Sequence, residues 1–356
     1  WYGNQDYVVN WEYDGIEIKN CVDENGKLRS RQQNSTFYFR ESVSWSDVTS
    51  GDNAFRYIPK GFIFDATGHS SFYNNDSDLH LCLAFLNNIY CSYITKILNP
   101  TIHFHVGYFN RLPFPEDIKK HSDEIISLAK EAVSLSANDW NGFERSWEFK
   151  KNPLVAEKKS SLRDSFIFYK NNCYDNFNRL YEIEFKNNKL FLDLYKLQDE
   201  FNACPDASTI SLDVNPLYRY GSSLKPEQYQ ARFCSDSIVE LLSYNIGCQM
   251  GRYSLDREGL VYAHEGSKGF TELVAEGAYK TFPADNDGIL PLMDDEWFDD
   301  DITSRVKEFV RTVWGEEHLQ ENLEFIAESL CLYSVKPKKG ESSLDTIRRY
   351  LSTQFW

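Results

Sequence analysis

Arg29, Arg31, Gln32, Gln33 and Asn34 crowd one short stretch just after the turn signal Asn25-Gly26. These side chains suit one chemistry well: a guanidinium pairs with guanine O6 and N7, and an Asn or Gln amide with adenine N6 and N7. The same five suit an ordinary solvated loop, and the sequence leaves both readings open. Arg56 and Lys60 flank a β-rich run, where they either hold phosphates or stay in solvent. Ser44, Ser46, Ser50 and Gly51 would let backbone approach a ligand closely, as they would in a plain turn. Trp45 is either a core residue or a stacking surface.

Other chemistries are weaker. His103 and His105 alternate with Ile102 and Phe104, so they share a strand face. No third ligand stands at a suitable spacing, and no metal is expected. The run from Asp285 to Asp301 holds eight acids and no Lys or Arg. It reads as a solvated or docking face rather than a cation site. The eight cysteines form no Cys-x-x-Cys pair. That pattern excludes a zinc finger and fits buried free thiols.

The elements that would position these residues change character along the chain. Short β-rich runs occupy residues 1–75: Tyr7–Val9, Ile16–Ile18, Thr36–Phe39, Phe55–Ile58 and Gly61–Phe64. From Asp78, apolar residues recur at three and four, giving a helix that ends at Asn99-Pro100. A strand-like Ile102–Val106 follows, then the rigid Leu112-Pro113-Phe114-Pro115. Beyond Glu116 the pattern is helical. Residues 161–202 read as one long helix or an antiparallel pair broken at Asn187-Asn188. Further stripes cover Ile238–Met250, Ile302–Trp314, Leu319–Leu332 and Leu344–Leu351, with Gly315 as a C-cap.

The chain has 356 residues, 15% of them aromatic, and a net charge of −16. The aromatic share argues against disorder. No window holds the roughly 18 uninterrupted apolar residues of a membrane helix, so a soluble protein is expected. It starts at Trp1, which fits a fragment of a longer chain. The charge is uneven: residues 1–120 carry 11 Lys/Arg against 14 Asp/Glu, and the rest 27 against 40. A phosphate-facing surface therefore belongs in the first third.

An ordered set of phrases carries a family resemblance. It begins with Gly26-Lys27-Leu28-Arg29-Ser30-Arg31, Ser44–Gly51, Arg56–Asp65 and Gly68-His69-Ser70-Ser71-Phe72. Leu83–Asn88, Leu98-Asn99-Pro100-Thr101, Val106-Gly107 and Leu112-Pro113 follow. This order resembles the target-recognition domain of adenine-specific DNA methyltransferases. Downstream, Gly247-Cys248-Gln249-Met250-Gly251-Arg252-Tyr253-Ser254-Leu255-Asp256 is similar to a phrase of the PglX-type methyltransferases of BREX phage defence. Leu260–Ala263, Lys280–Pro283, Glu321–Ala327 and Ile347–Tyr350 agree with it.

The resemblance implies an α+β fold: a strand-rich target-recognition domain over 1–115, then a mostly α-helical C-terminal domain over 116–356, with a possible break near 203–232. It implies methyl transfer from S-adenosylmethionine to the exocyclic amine of adenine, marking host DNA. Neither Gly-x-Gly-x-x-Gly nor Phe-x-Gly-x-Gly occurs here. The Asn-Pro pairs at 99, 152 and 215 lack the second proline and aromatic of a base-holding loop. No catalytic or cofactor-binding residue is expected in this segment, and S-adenosylmethionine is implied for an upstream domain. The residues expected to meet DNA are Arg29, Arg31, Gln32, Gln33, Asn34, Ser44, Trp45, Ser46, Ser50, Arg56, Lys60 and Ser70. Expected partners are double-stranded DNA, the upstream domain, and other BREX proteins or a phage inhibitor, in the bacterial cytoplasm. An alternative is a protein-interaction module of the same system.

Overall fold

The computed structural model describes residues 1–30, 32–294 and 297–355. The fold is α+β, and the chain divides into two compact units, Trp1–Asn138 with Asn178–Ser211, and Asp139–Phe177 with Leu212–Trp356.

The first unit is built on a small antiparallel sheet of order β2-β1-β3, with β1 at Ser42–Ser46, β2 at Arg56–Ile58 and β3 at Gly68–Ser71. Val43 and Trp45 of β1 are buried and Ser46 is exposed, the period-two pattern of a half-covered strand. The first 75 residues are less strand-rich than their β-branched and aromatic runs predict. Tyr7, Val8 and Val9 lie in exposed irregular chain. Ile16–Ile18 falls in helix α1, Glu12–Asn20, which is kinked where Tyr13, Asp14 and Gly15 take positive φ. Ser35–Phe37 forms a 3₁₀ turn, and Gly61–Phe64 has no strand partner among the described residues. Propensity proposes a strand, but only a neighbouring strand with free backbone groups can accept one.

The single helix expected from Asp78 is two, α2 (Asp76–Leu86) and α3 (Ile89–Leu98), bent by 72° at Asn87-Asn88. Asn75 and Asn88 cap the two starts by accepting from Asp78 N and Cys91 N. Ile102–Val106 makes only the bridge Val48↔His103 before the short helix α4, Val106–Phe109. Helix α5 covers Ser122–Asn141. No single described helix is long and apolar enough to cross a membrane, though the bent α2–α3 pair has the length and composition.

After α6 (Pro153–Ala156) comes α7, Leu162–Tyr195, continuous through Asn187-Asn188 where a break is predicted. Its part in the first unit buries Leu180, Ile183, Phe191 and Leu192. Asn187 and Asn188 are also buried, and their side chains receive the broken helix pair. Asn188 Oδ1 accepts from Ile89 N at 2.9 Å, and Asn187 Nδ2 donates to Ala84 O at 2.9 Å. The α2–α3 bend leaves backbone groups without helical partners, and these two amides supply them.

The second unit is organised by α9 (Pro226–Gln249), which follows α8 (Pro216–Tyr220). After the short α10 (Phe270–Ala275) come α11 (Ile302–Trp314), α12 (Leu319–Tyr333) and α13 (Ser343–Thr353). Helix α12 lies mainly along α9, and α13 on α12. Gly315 ends α11 at φ 87°. The Gly247–Asp256 phrase is a tightly folded turn at the end of α9. A Cβ on Gly247 would sit 2.6 Å from Tyr253 Cδ2, so only glycine admits that ring. Tyr279 Oη donates to Gly251 O at 2.7 Å, and Asp256 accepts from Thr281 N at 2.8 Å.

The cysteines are free thiols: Cys91, Cys173, Cys234 and Cys248 are buried, Cys82 and Cys331 partly so, while Cys21 and Cys204 are exposed.

Candidate nucleic-acid interface

A groove of about 670 Å³ opens in the first unit. One wall is the polar loop that leaves α1. Residues 21–29 fold back on themselves: Val22 bridges Leu28, Arg29 N donates to Cys21 O at 2.8 Å, and Gly26 turns at φ 76°. Asp23 Oδ1 fixes the turn by accepting from Asn25 N and Lys27 N, both at 2.9 Å. This delivers Arg29 to the groove, followed by Ser30, Gln32, Gln33 and Asn34. Asn34 takes the left-handed conformation, φ 54°, and heads the 3₁₀ turn.

The floor is aromatic. Trp11 meets Tyr38 edge-on at 5.3 Å, and Tyr38 meets Phe64 edge-on at 5.1 Å. Gly15 is required here: its φ is +72°, and a Cβ would lie 3.0 Å from both Gln32 Nε2 and Trp11 Cζ3. The opposite wall runs from Ile63 to Ser70. Asp65 Oδ1 accepts from Thr67 N at 2.9 Å and Gly68 N at 2.8 Å. Against the cost of desolvation, these hydrogen bonds hold its carboxyl below the ordinary range. Gln32 Nε2 is buried with no hydrogen-bond partner among the described residues, a donor able to take a ligand acceptor.

The groove thus gathers Arg29, Gln32, Gln33, Asn34 and Ser70. Arg31 lies outside the described residues. The other predicted residues go elsewhere. Ser44 spends its hydroxyl inside the sheet, donating to His69 O at 2.8 Å. It sits in register between Arg56 and Ser70. Arg56 is half-buried and attracts the half-buried Glu184, whose carboxyl desolvation pushes up. Ser46, Ser50 and Lys60 are exposed away from the groove lining. Trp45 has to be moved from the site to the core. It is 3% exposed, donates Nε1 to Phe104 O at 2.9 Å, and stacks on Phe109 at 4.5 Å. No face is left for a base. Groove residues missed by sequence reading include Tyr38, Phe64 and Asp65; the alternation of Phe and Tyr there reads only as strand.

Beside the groove, the third partner that spacing did not offer His103 and His105 is Asp47. Its Oδ2 lies 3.0 Å from His103 Nδ1 and its Oδ1 3.0 Å from His105 Nδ1. Groove-lining His69 brings Nε2 within 3.5 Å of Oδ1. The His103 hydrogen bond chiefly holds the Asp47 carboxyl below its ordinary range.

No family model matches the chain. Two curated proteins are similar to all of it. The adenine-specific methyltransferase BrxX of Escherichia coli O9:H4 (strain HS) is 52% identical over 358 residues, which is 28% of its own length. The adenine-specific methyltransferase PglX of Lacticaseibacillus casei (strain Zhang) is 38% identical over 367 residues, again 28% of its length. The chain therefore spans little more than a quarter of the relatives it matches.

Proposed function

We infer from this kinship with PglX-type adenine-specific methyltransferases, which covers every residue of the chain, that these residues read DNA sequence for such an enzyme. The parent protein acts in BREX defence, in the bacterial cytoplasm, marking host DNA with methyl groups from S-adenosylmethionine. That transfer is the work of other residues of the parent. Residues 1–115 carry the reading surface, and the helical remainder of the chain supports it.

The observation that carries this reading is the groove wall where Arg29, Gln32, Gln33 and Asn34 converge. Extruding an adenine costs a few kcal/mol and is useful only at the right site, so base edges have to be read first. A guanidinium and several amides on one wall can read guanine and adenine in the major groove, each good bidentate pair giving about 1–3 kcal/mol of discrimination. Asp65 on the facing wall discourages indiscriminate phosphate binding.

A second reading has its own support. The acidic run bears exposed Ile289, Met293, Trp297 and Phe298, the last two at 76% and 55%; Asp295 and Glu296 lie outside the described residues. Apolar side chains standing out of an acidic surface suit docking of another defence component.

The test is modified-base sequencing of DNA from cells expressing a full-length enzyme with Arg29, Gln32 and Gln33 all changed to Ala. The methylated motif is expected to be lost or relaxed. Unchanged motif and extent would overturn the groove as the reader. Phage exclusion in cells carrying Trp297→Ala with Phe298→Ala addresses docking: protection is expected to fall while methylation persists.

A further inference from the structure

We propose that Asp47, His103 and His105, flanked by His69, form a binding site for one divalent transition-metal ion of the zinc class. The site stands apart from the base-reading assignment and does not depend on it.

The segments that carry these four residues are brought together by backbone hydrogen bonds, before any side chain is considered. Asp47 N donates to Thr67 O at 2.8 Å, and Phe104 N donates to Asp47 O at 2.7 Å. Thr49 N donates to Ile102 O at 3.0 Å, and Val48 bridges His103. His69 faces Trp45 in the β1–β3 register. The Asn99 side chain reaches back to His103 O. The carboxylate is therefore fixed between the strand that carries His69 and the segment that carries the other two rings.

The side chains then converge as ligands do. Four atoms bound tetrahedrally at about 2.0–2.1 Å from one ion lie roughly 3.3 Å from one another. His105 Nδ1 lies 3.0 Å from Asp47 Oδ1 and His103 Nδ1 3.0 Å from Oδ2, close to that spacing, and His69 Nε2 stands 3.5 Å from Oδ1 at the side of the cluster. One ligand atom each from Asp47, His103 and His105 falls within a 4.8 Å cluster. Only the His103 contact has hydrogen-bond geometry. Asp47 Oδ1, close to two imidazole nitrogens, is buried and has no hydrogen-bond partner among the described residues. A buried lone pair left unpaired beside imidazole nitrogens is open to a shared cation.

Two imidazoles and one carboxylate, with a fourth position open to water, favour zinc, cobalt, nickel or copper over magnesium and calcium, which prefer all-oxygen sets. His103 and His105 are half-exposed, so an ion can enter from solvent. Once bound, it ties the residue that follows β1 to the segment from Ile102 to Val106 beside the groove.

The test is zinc competition against a fluorescent chelator on the whole 356-residue chain, with cobalt absorption as the readout of coordination. One ion per chain and the intense visible bands of tetrahedral cobalt are expected. His103→Ala with His105→Ala should weaken zinc by about 100-fold or more, since two of the three ligands are gone. Both rings are exposed, so the metal-free chain should stay folded, its unfolding midpoint lowered only by loss of the His103–Asp47 hydrogen bond, and Asp47→Asn gives a second, independent loss of zinc. A companion chain with Cys21→Ser and Cys204→Ser removes the exposed thiols and should bind as before. Absence of zinc binding leaves only a histidine–carboxylate hydrogen-bond cluster and overturns the proposal. So does binding that survives loss of the histidines, or that disappears with the two thiols.

Discussion

At the scale of single residues, side-chain type was legible: Arg, Gln and Asn crowd after a turn, and Arg29, Gln32, Gln33 and Asn34 of that crowd line one groove. Spacing could not announce Asp47, which lies 56 residues from His103 and meets it through tertiary pairing. Trp45 was ambiguous for the opposite reason, since an indole serves equally as core or platform until its neighbours are known. Asp139 is a further residue with no sequence signal. It accepts from Asp213 N at 2.6 Å and Val214 N at 3.2 Å. Burial pushes its carboxyl up to about 7, against an ordinary 3.8. Because the folded pKa is the higher one, folding favours the protonated acid. Its contribution is fully present below the ordinary value and fades as pH rises towards 7. Urea midpoints at pH 5 and pH 8 should therefore fall with pH more steeply in the native protein than in Asp139→Asn. Equal slopes would show that Asp139 is ionised throughout.

At the scale of elements, the amphipathic helices were the most readable. Ile302–Trp314 coincides with α11, and α12 and α13 extend one or two residues beyond their predicted stripes. A helix that buries one face writes a 3.6-residue period into its sequence. The strands of the first unit write almost nothing: Gly-His-Ser-Ser has no β-branched residue, and its pairing with β1 is decided by the surrounding core. The two Asn pairs show the same limit. Asn87-Asn88 breaks a helix that the pattern predicts as unbroken, and Asn187-Asn188, where a break is predicted, lies inside a continuous helix and receives the bend. Asn188→Ala removes the acceptor for Ile89 N and the donor to Ala203 O. A buried donor left unpaired costs about 1–3 kcal/mol. Guanidinium unfolding should show at least that loss, with α3 amides exchanging faster; a change within error would mean that the bend supports itself.

At the scale of the whole chain, the net charge of −16 limits what affinity alone can achieve. Arg29 is the one Lys or Arg among the described residues lining the groove. Only about one to three phosphates are within reach, so log K for a non-cognate duplex should fall with log salt at a slope between about −1 and −3. Fluorescence anisotropy from 50 to 300 mM KCl measures it, and a slope steeper than about −5 would place the main contact surface elsewhere. The composition makes the excess of negative charge readable at once. It did not reveal that the first compact unit draws on two separate stretches of chain.

That discontinuity bears on how this stretch can be exchanged between relatives. A gene conversion tract ending near codon 115 would import a foreign α2–α3 bend while keeping the resident Asn187 and Asn188, which were matched to a different bend. Successful chimaeras between relatives should therefore carry two crossovers and inherit both stretches from one parent.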